Sequence, residues 1–422
     1  MNPFFQLRFG VMTLLSVLML LAASPCDAQR KGYRKGIHTN EYPDGSSYTG
    51  EWKDFLFHGQ GTYKYVNGDE YTGEWKEGKP DGEGTLTQPD GSTYTGSWKE
   101  GKKNGHGVFE YAEGDRFDGE WLNDLKHGEG IYIWASGDRY EGNYVQGEKT
   151  GFGTFTTADG YRYSGHWIDG IWEGFGTYTN PNGETYTGEW KQDRRCGKGT
   201  LTDADGHILY DGDWEDNEKH GVGTATWENG DEYSGDWVHG VRTGTGVYTR
   251  PDGSQYSGSW TDNMRDGEGT QRYADGKRYE GSWKSDKMDG SGTLFESDGS
   301  VIYEGTWAAG MMSGPGTRYY ANGKKYVGSW QEDRRTGEGI EYAADGRVEY
   351  EGMWFNDRKM GEGTFYWEDG KKYVGSWLDD MMSGRGTLFE ADGSVISSGI
   401  WAFGDFLGEE SEFGEGEDDS EL

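Results

Sequence analysis

Cysteine is nearly absent: 422 residues hold only Cys26 and Cys196, and prolines number just 8. No disulfide framework can carry the fold, so packing has to. So little proline excludes the collagen triple helix, which couples Gly at every third position to abundant Pro. Bases are outnumbered too, with 41 Lys+Arg against 75 Asp+Glu and a formal charge of −34. Nucleic acid is therefore a poor partner, because its phosphates are bound by clustered Lys and Arg. Hydrophobic residues reach only 32%, thin for compact cores. Intrinsic disorder fails for the opposite reason, since 15% of the residues are aromatic and disordered chains lack them. What is plentiful is Gly (75), Tyr (29) and Trp (19). That is the composition of a Gly- and aromatic-rich β-repeat protein.

The one long apolar run lies near the N-terminus. Arg8 precedes Val11–Ala23, and Cys26-Asp27-Ala28 offers small residues for a cut before Gln29. This is the layout of an export signal over residues 1–28. The run is shorter than the ~20 residues of a spanning helix. The expectation is a cleaved signal peptide and an exported protein, periplasmic or extracellular. An uncleaved N-terminal anchor, or a lipidated Cys26, is the alternative. Residues 29–41 read as a short leader. No N-x-S/T sequon occurs anywhere.

From residue 42 on, one pattern repeats. Tyr-x-Gly-x-Trp appears as Tyr48-Gly50-Trp52, Tyr71-Gly73-Trp75 and Tyr94-Gly96-Trp98. It returns as Tyr186-Gly188-Trp190 and Tyr279-Gly281-Trp283, and a decayed sixteenth copy keeps Gly399 and Trp401. The step is 23 residues in eleven intervals and 24 in four. A G-x-G pair follows each Trp position, such as Gly59-Gly61 and Gly82-Gly84, and a turn glycine precedes each Tyr.

Each copy reads as a hairpin. Gly61–Tyr65 and Glu70–Trp75 alternate around Asn67-Gly68, a strong turn signal because both residues tolerate positive φ. Period two puts Tyr71, Gly73 and Trp75 on one face. The bare Gly between two aromatics invites close approach by a ring or backbone. The G-x-G pair is expected to bend the chain from one hairpin into the next. A lone hairpin is barely stable, so the copies must stack.

The stretches Trp75–Gly84 and Trp121–Gly130 carry the pattern most fully. The chain resembles the MORN repeat family (membrane occupation and recognition nexus), whose consensus runs close to Y-x-G-x-W-x-x-G-x-x-H-G-x-G. The resemblance covers residues 42–408. It implies an all-β fold, an elongated, twisted single-layer antiparallel sheet of about 16 stacked β-hairpin repeats. It also implies roles that join proteins to membranes or cytoskeletal assemblies. Four copies carry an extra residue after the turn Gly, as in Gly299-Ser300-Val301-Ile302-Tyr303, which predicts a β-bulge. From Asp405 the repeat dissolves, and residues 409–422 read as an acidic disordered tail.

Nothing in the sequence looks catalytic. His58, His127 and His220 share one slot in distant repeats, which a linear array should not gather on one metal ion, and His38, His106, His166, His207 and His239 are scattered over other slots. No H-E-x-x-H, C-x-x-C, G-x-S-x-G or Walker A motif occurs. The expectation is a protein that is not an enzyme and has no cofactor and no metal.

Three surfaces remain for binding. The aromatic face is needed as core, though aromatic tracks also bind glycans. A series of bases follows the Trp positions: Lys79, Lys102, Lys103, Lys126, Lys149, Arg194, Arg195, Lys219, Arg242, Arg265, Lys287, Arg334, Arg335, Arg358 and Lys359. Aligned along a loop margin they would form a rail for lipid headgroups, although acids such as Glu77, Asp124 and Asp286 lie in the same loops. The third surface is methionine: Met264, Met288, Met311, Met312, Met360, Met381 and Met382 fall in the same inter-hairpin segment and suit a protein partner. The reading is an exported scaffold that binds another protein or itself. Membrane lipid through the loop-edge bases and glycan through the aromatic face are the alternatives.

Overall fold

The structure is a computed structural model that describes residues 34–409. The expected signal peptide, and all of the expected acidic tail beyond Glu409, lie outside the described residues. The chain divides into two units, Met1–His207 and Ile208–Leu422. The described residues form 33 strands, numbered β1 to β33 in chain order, and no helix. The first unit holds β1 (Lys35–Glu41) to β15 (Arg194–Thr202), the second β16 (Ile208–Glu215) to β33 (Asp405–Gly408). Within each unit every strand pairs antiparallel with the next in the chain. Each unit is thus an open antiparallel sheet of hairpins, as the repeat predicts.

The leader is shorter than expected. Lys35–Glu41 is already a strand, and its residues pair from Lys35↔Lys53 to Glu41↔Ser47 along β2 (Ser47–Lys53).

Two kinds of turn alternate. Between β3 (Leu56–Lys64) and β4 (Glu70–Lys76) the Tyr65 carbonyl accepts from Gly68 N–H at 3.0 Å, and Tyr65 N–H donates to Asp69. Gly68 has φ +93°, while Asn67 is not in the left-handed region. This is a three-residue loop with Gly in the αL position, at the reversal that Asn-Gly marks. Asn67 contributes through its side chain, which accepts the Asp69 N–H at 3.1 Å.

The two-residue turn lies elsewhere. It joins β4 to β5 (Lys79–Thr87) through Glu77 (φ +50°) and Gly78 (φ +82°), the geometry of a type I′ turn. In other repeats both positions are non-glycine, as in Asp54-Phe55 and Asp379-Asp380. The chain therefore reverses just after each Trp, and the G-x-G pair does not make the bend. It sits inside the nine-residue strand, where Gly73 pairs Gly84 but Trp75 pairs Pro80, so β5 carries two extra residues as a bulge.

The expected bulge at the longer copies is present too. In the second unit Leu294 pairs Tyr303 and Phe295 pairs Val301, which leaves Ile302 between them. Glu349 and Ile396 are bypassed in the same way.

Candidate interaction surface

One face of each sheet is tiled by the Tyr-x-Gly-x-Trp motif. Tyr71 is wholly buried, its hydroxyl donating to the Glu74 carbonyl at 3.0 Å. Its ring meets two indoles edge-on: Trp75 of its own repeat at 5.1 Å and 88°, and Trp98 of the next at 5.1 Å and 82°. Such T-shaped pairs contribute about 0.5–1.5 kcal/mol each beyond the area they bury. Most of the motif indoles also reach backward. Trp98 donates to the Gly84 carbonyl at 3.1 Å, and Trp190 to Gly176 at 3.1 Å. The same geometry recurs at Tyr94–Trp98, Tyr186–Trp190 and Tyr279–Trp283. The bare glycines make room for it: Gly73 and Gly84 lie together beneath the Tyr71 ring.

Two inward positions change from repeat to repeat. One pairs with the motif Tyr and reads, for example, Tyr63, Leu86, Ala225, Arg318 or Glu341. The other is the second residue of the strand that follows each motif, and it pairs with the Trp, or with Tyr144 where that replaces it. In the first unit it reads Phe57, Pro80, Lys103, Lys126, Lys149, Trp172 and Arg195. In the second it reads Lys219, Arg242, Arg265, Met288, Met312, Arg335, Lys359, Met382 and Phe406. These cations lie over rings. Lys103 Nζ is 4.5 Å from the Phe109 centroid and 4.9 Å from Trp121, and Lys126 Nζ is 4.2 Å from Tyr132. Arg265 lies 4.2 Å from the Trp283 ring and Arg335 3.9 Å from Trp354. Burial pushes the ammonium groups of Lys103, Lys126 and Lys149 down to about 8, with Asp124 opposing the shift at Lys103.

The second residue of the type I′ turn fixes this position from outside. Asp124 accepts the Lys103 N–H at 2.9 Å, Asp193 that of Trp172 at 2.7 Å, and Asp333 that of Met312 at 2.8 Å. The recurrent loop acids are thus backbone acceptors as well as counter-charges.

The expected rail therefore divides. Lys79, Lys102, Arg194, Lys287 and Arg334 start their strands and are exposed, while Lys126 and Arg265, one position on, lie over the aromatic face. Period two sends neighbours to opposite faces, so the bases do not align along one margin. The methionines divide likewise and are strand residues rather than loop residues: Met311 and Met381 are exposed, Met312 is buried at 6% and Met382 is half-buried.

Two features were not visible in the sequence. In the second unit Gln271, not an aromatic ring, pairs with Tyr256, and a cleft of about 350 Å³ opens there between Arg242, Tyr248, Arg250 and Arg265. Arg265 Nη1 donates to Gln271 Oε1 at 2.9 Å across its floor. The second feature is a pair of imidazoles from different slots of adjacent repeats: His220 and His239 come within 5.3 Å, centroid to centroid.

No curated protein matches the chain. Similar solved structures include the SAS-4 (dCPAP) TCP domain of Drosophila melanogaster in complex with a proline-rich motif of Ana2 (dSTIL). It is 14% identical, with 43% of this chain and 86% of that chain covered and a TM-score of 0.23. Another is the wild-type TCP10 domain of Danio rerio CPAP, 12% identical, with 64% and 100% covered and a TM-score of 0.17. At such TM-scores neither carries an argument. The family model for the MORN repeat, by contrast, matches 15 copies from residues 48–70 to 373–395. With the hairpin array and its Tyr-Gly-Trp tiling, this establishes that the chain belongs to the MORN repeat family.

Proposed function

We propose that the protein is an exported, non-enzymatic scaffold that binds an extended, acidic segment of a protein partner along its aromatic face. MORN repeats suggest a repeat-based interaction or scaffold role. The observation that carries the finer reading is the row Lys103, Lys126 and Lys149. These three cations stand in consecutive repeats, depressed in pKa by burial and held by rings. Among the described residues none of the three has a carboxylate within ion-pair distance. A partly buried cation with no carboxylate in direct contact gains from an incoming one.

The spacing suits an extended chain. Successive positions are two strands apart, about 10 Å, which an extended peptide covers in about three residues. In a polyproline II segment, with three residues per turn and a rise of about 3.1 Å per residue, acidic side chains at every third position stay on one side and would meet successive lysines. The export part of the proposal rests on residues 1–28 of the sequence alone. Two observations weigh against the alternatives. The bases are split between two faces, which thins any rail for lipid to the exposed strand-start residues such as Lys79 and Lys102. The motif Trp rings are packed edge-on and buried, 2% exposed at Trp52 and 4% at Trp75, which counts against their serving as a flat platform for a sugar.

The test is fluorescence anisotropy with a labelled peptide carrying Glu at every third position, against its Gln counterpart. Preferential binding of the Glu peptide, lost in the Lys103→Met, Lys126→Met, Lys149→Met triple variant, supports the reading. Equal binding of both peptides, or an unaffected triple variant, overturns it. Flotation with anionic vesicles tests the lipid alternative on the same preparation.

A further inference from the structure

We propose that Glu215, His220 and His239, flanked by Glu218, form a binding site for a divalent late transition metal ion such as Zn²⁺. All four belong to the second unit. Glu215 ends β16 and Glu218 opens β17 (Glu218–Thr226), with a two-residue turn between them. His220 is the third residue of β17, and His239 is the first residue of the turn between β18 (Glu232–Val238) and β19 (Val241–Thr249).

The repeat geometry brings them together. The side chain at the third strand position regularly reaches the first turn residue of the next repeat: Asp81 accepts the Glu100 N–H at 3.1 Å, and Asp266 accepts that of Ser285 at 3.1 Å. Here that pair of positions holds two imidazoles. The Gly240 N–H donates to the Lys219 carbonyl at 2.8 Å and locks the two turns side by side. Lys219 itself faces the aromatic side, 5.1 Å from the Trp237 ring, so its charge is not aimed at the cluster.

The donor set has the chemistry and the dimensions. One ligand atom each from Glu215, His220 and His239 lies within 4.8 Å of the others. Glu215 Oε2 is 3.1 Å from His220 Nδ1, and Glu218 Oε2 is 3.2 Å from His239 Nδ1. Tetrahedral Zn²⁺ with N and O ligands near 2.0–2.1 Å needs donor–donor edges of about 3.3 Å. The His220 Nδ1 is buried yet makes no hydrogen bond, because its approach to Glu215 falls outside hydrogen-bond geometry. Two imidazoles favour zinc, copper or nickel over the hard cations that prefer all-oxygen sites. His239 is more than half exposed, so an ion can enter without any opening of the sheet. Elsewhere the slot lacks its second imidazole: His58 faces Glu77 and His127 faces Gln146 in the corresponding turns.

The experiment is calorimetric titration of the full chain with ZnCl₂, alongside His220→Thr, His239→Asn and, as a control, His127→Thr. Thr243 and Asn123 already occupy the equivalent positions in other repeats, so neither substitution endangers the fold. We expect one saturable site, weakened at least about tenfold by either cluster substitution and unchanged in the control. Cu²⁺ electron paramagnetic resonance should report two coordinated nitrogens, falling to one in each single variant. Absence of a stoichiometric site, or equal loss in His127→Thr, overturns the proposal.

Discussion

Tyr71 lies across Gly84, the glycine of the partner strand, so closely that a Cβ built there would stand 2.5 Å from the Tyr71 Cζ. The ring cannot withdraw, because Trp75 and Trp98 hold its two sides and its hydroxyl is bonded to Glu74. Gly84→Ala should therefore destabilise by about 1–3 kcal/mol, the usual cost of overpacking a filled site. Denaturation midpoints would measure it. Gly91→Ala is the control: a Cβ there meets nothing within 4 Å, so its cost should come from its φ of +95° alone.

Tyr144 is the one place in the first unit where the Trp of the motif is replaced. It is buried, and its hydroxyl has no hydrogen-bond partner. Tyr144→Trp would supply the indole N–H that other repeats send back to the preceding glycine carbonyl, as Trp121 does to Gly107 at 3.0 Å. We expect a gain of about 1 kcal/mol, the net worth of a hydrogen bond, read as a higher urea midpoint. The converse, Trp98→Phe, should lose about as much.

Lys126 gives the fold a pH dependence. Its pKa in the fold is pushed down to about 8 by burial first and by Lys149 next, whereas an unfolded lysine titrates near 10.4. Between these values the unfolded chain binds more protons, so this group adds stability as pH rises. Lys126→Met, a residue other repeats carry at this position, should have its largest advantage over the parent at pH 7. That advantage should narrow toward pH 10. Paired denaturation curves at pH 7, 8.5 and 10 check the slope, and a constant difference would contradict the burial of the charge.

Phe55 holds φ +68° in a type I′ turn and is 46% exposed. A bulky residue in the left-handed region costs about 1–2 kcal/mol. Phe55→Asn should recover part of that, and a rise in thermal midpoint is the readout.

The repeat, the hairpins and the inward Tyr-Gly-Trp face were legible because period two and the 23-residue step act locally. The turns were half legible. Asn67-Gly68 marks a reversal, but the loop takes three residues, since only Gly68 occupies the αL region. The type I′ turn escaped notice because pairs such as Asp379-Asp380 carry no glycine, and the advantage of Asp lies in a hydrogen bond to the preceding repeat. The candidate surface was least legible. Whether a base faces the rings or the solvent depends on one step of register, and Lys102 and Lys103 are neighbours with opposite fates. The His220–His239 pair depends on which turn lies beside which strand, information that spacing within one copy does not hold.

The inward position opposite each Trp also has a meaning for how such a chain diversifies. Tyr, Gly and Trp do the structural work of every copy, so this position tolerates phenylalanine, proline, lysine, arginine, methionine and tryptophan alike. Duplication of a copy thus lengthens the array and hands selection a blank letter at the same time. An array built this way can change the chemistry of its inward face one letter per 23 or 24 residues, without renegotiating its architecture.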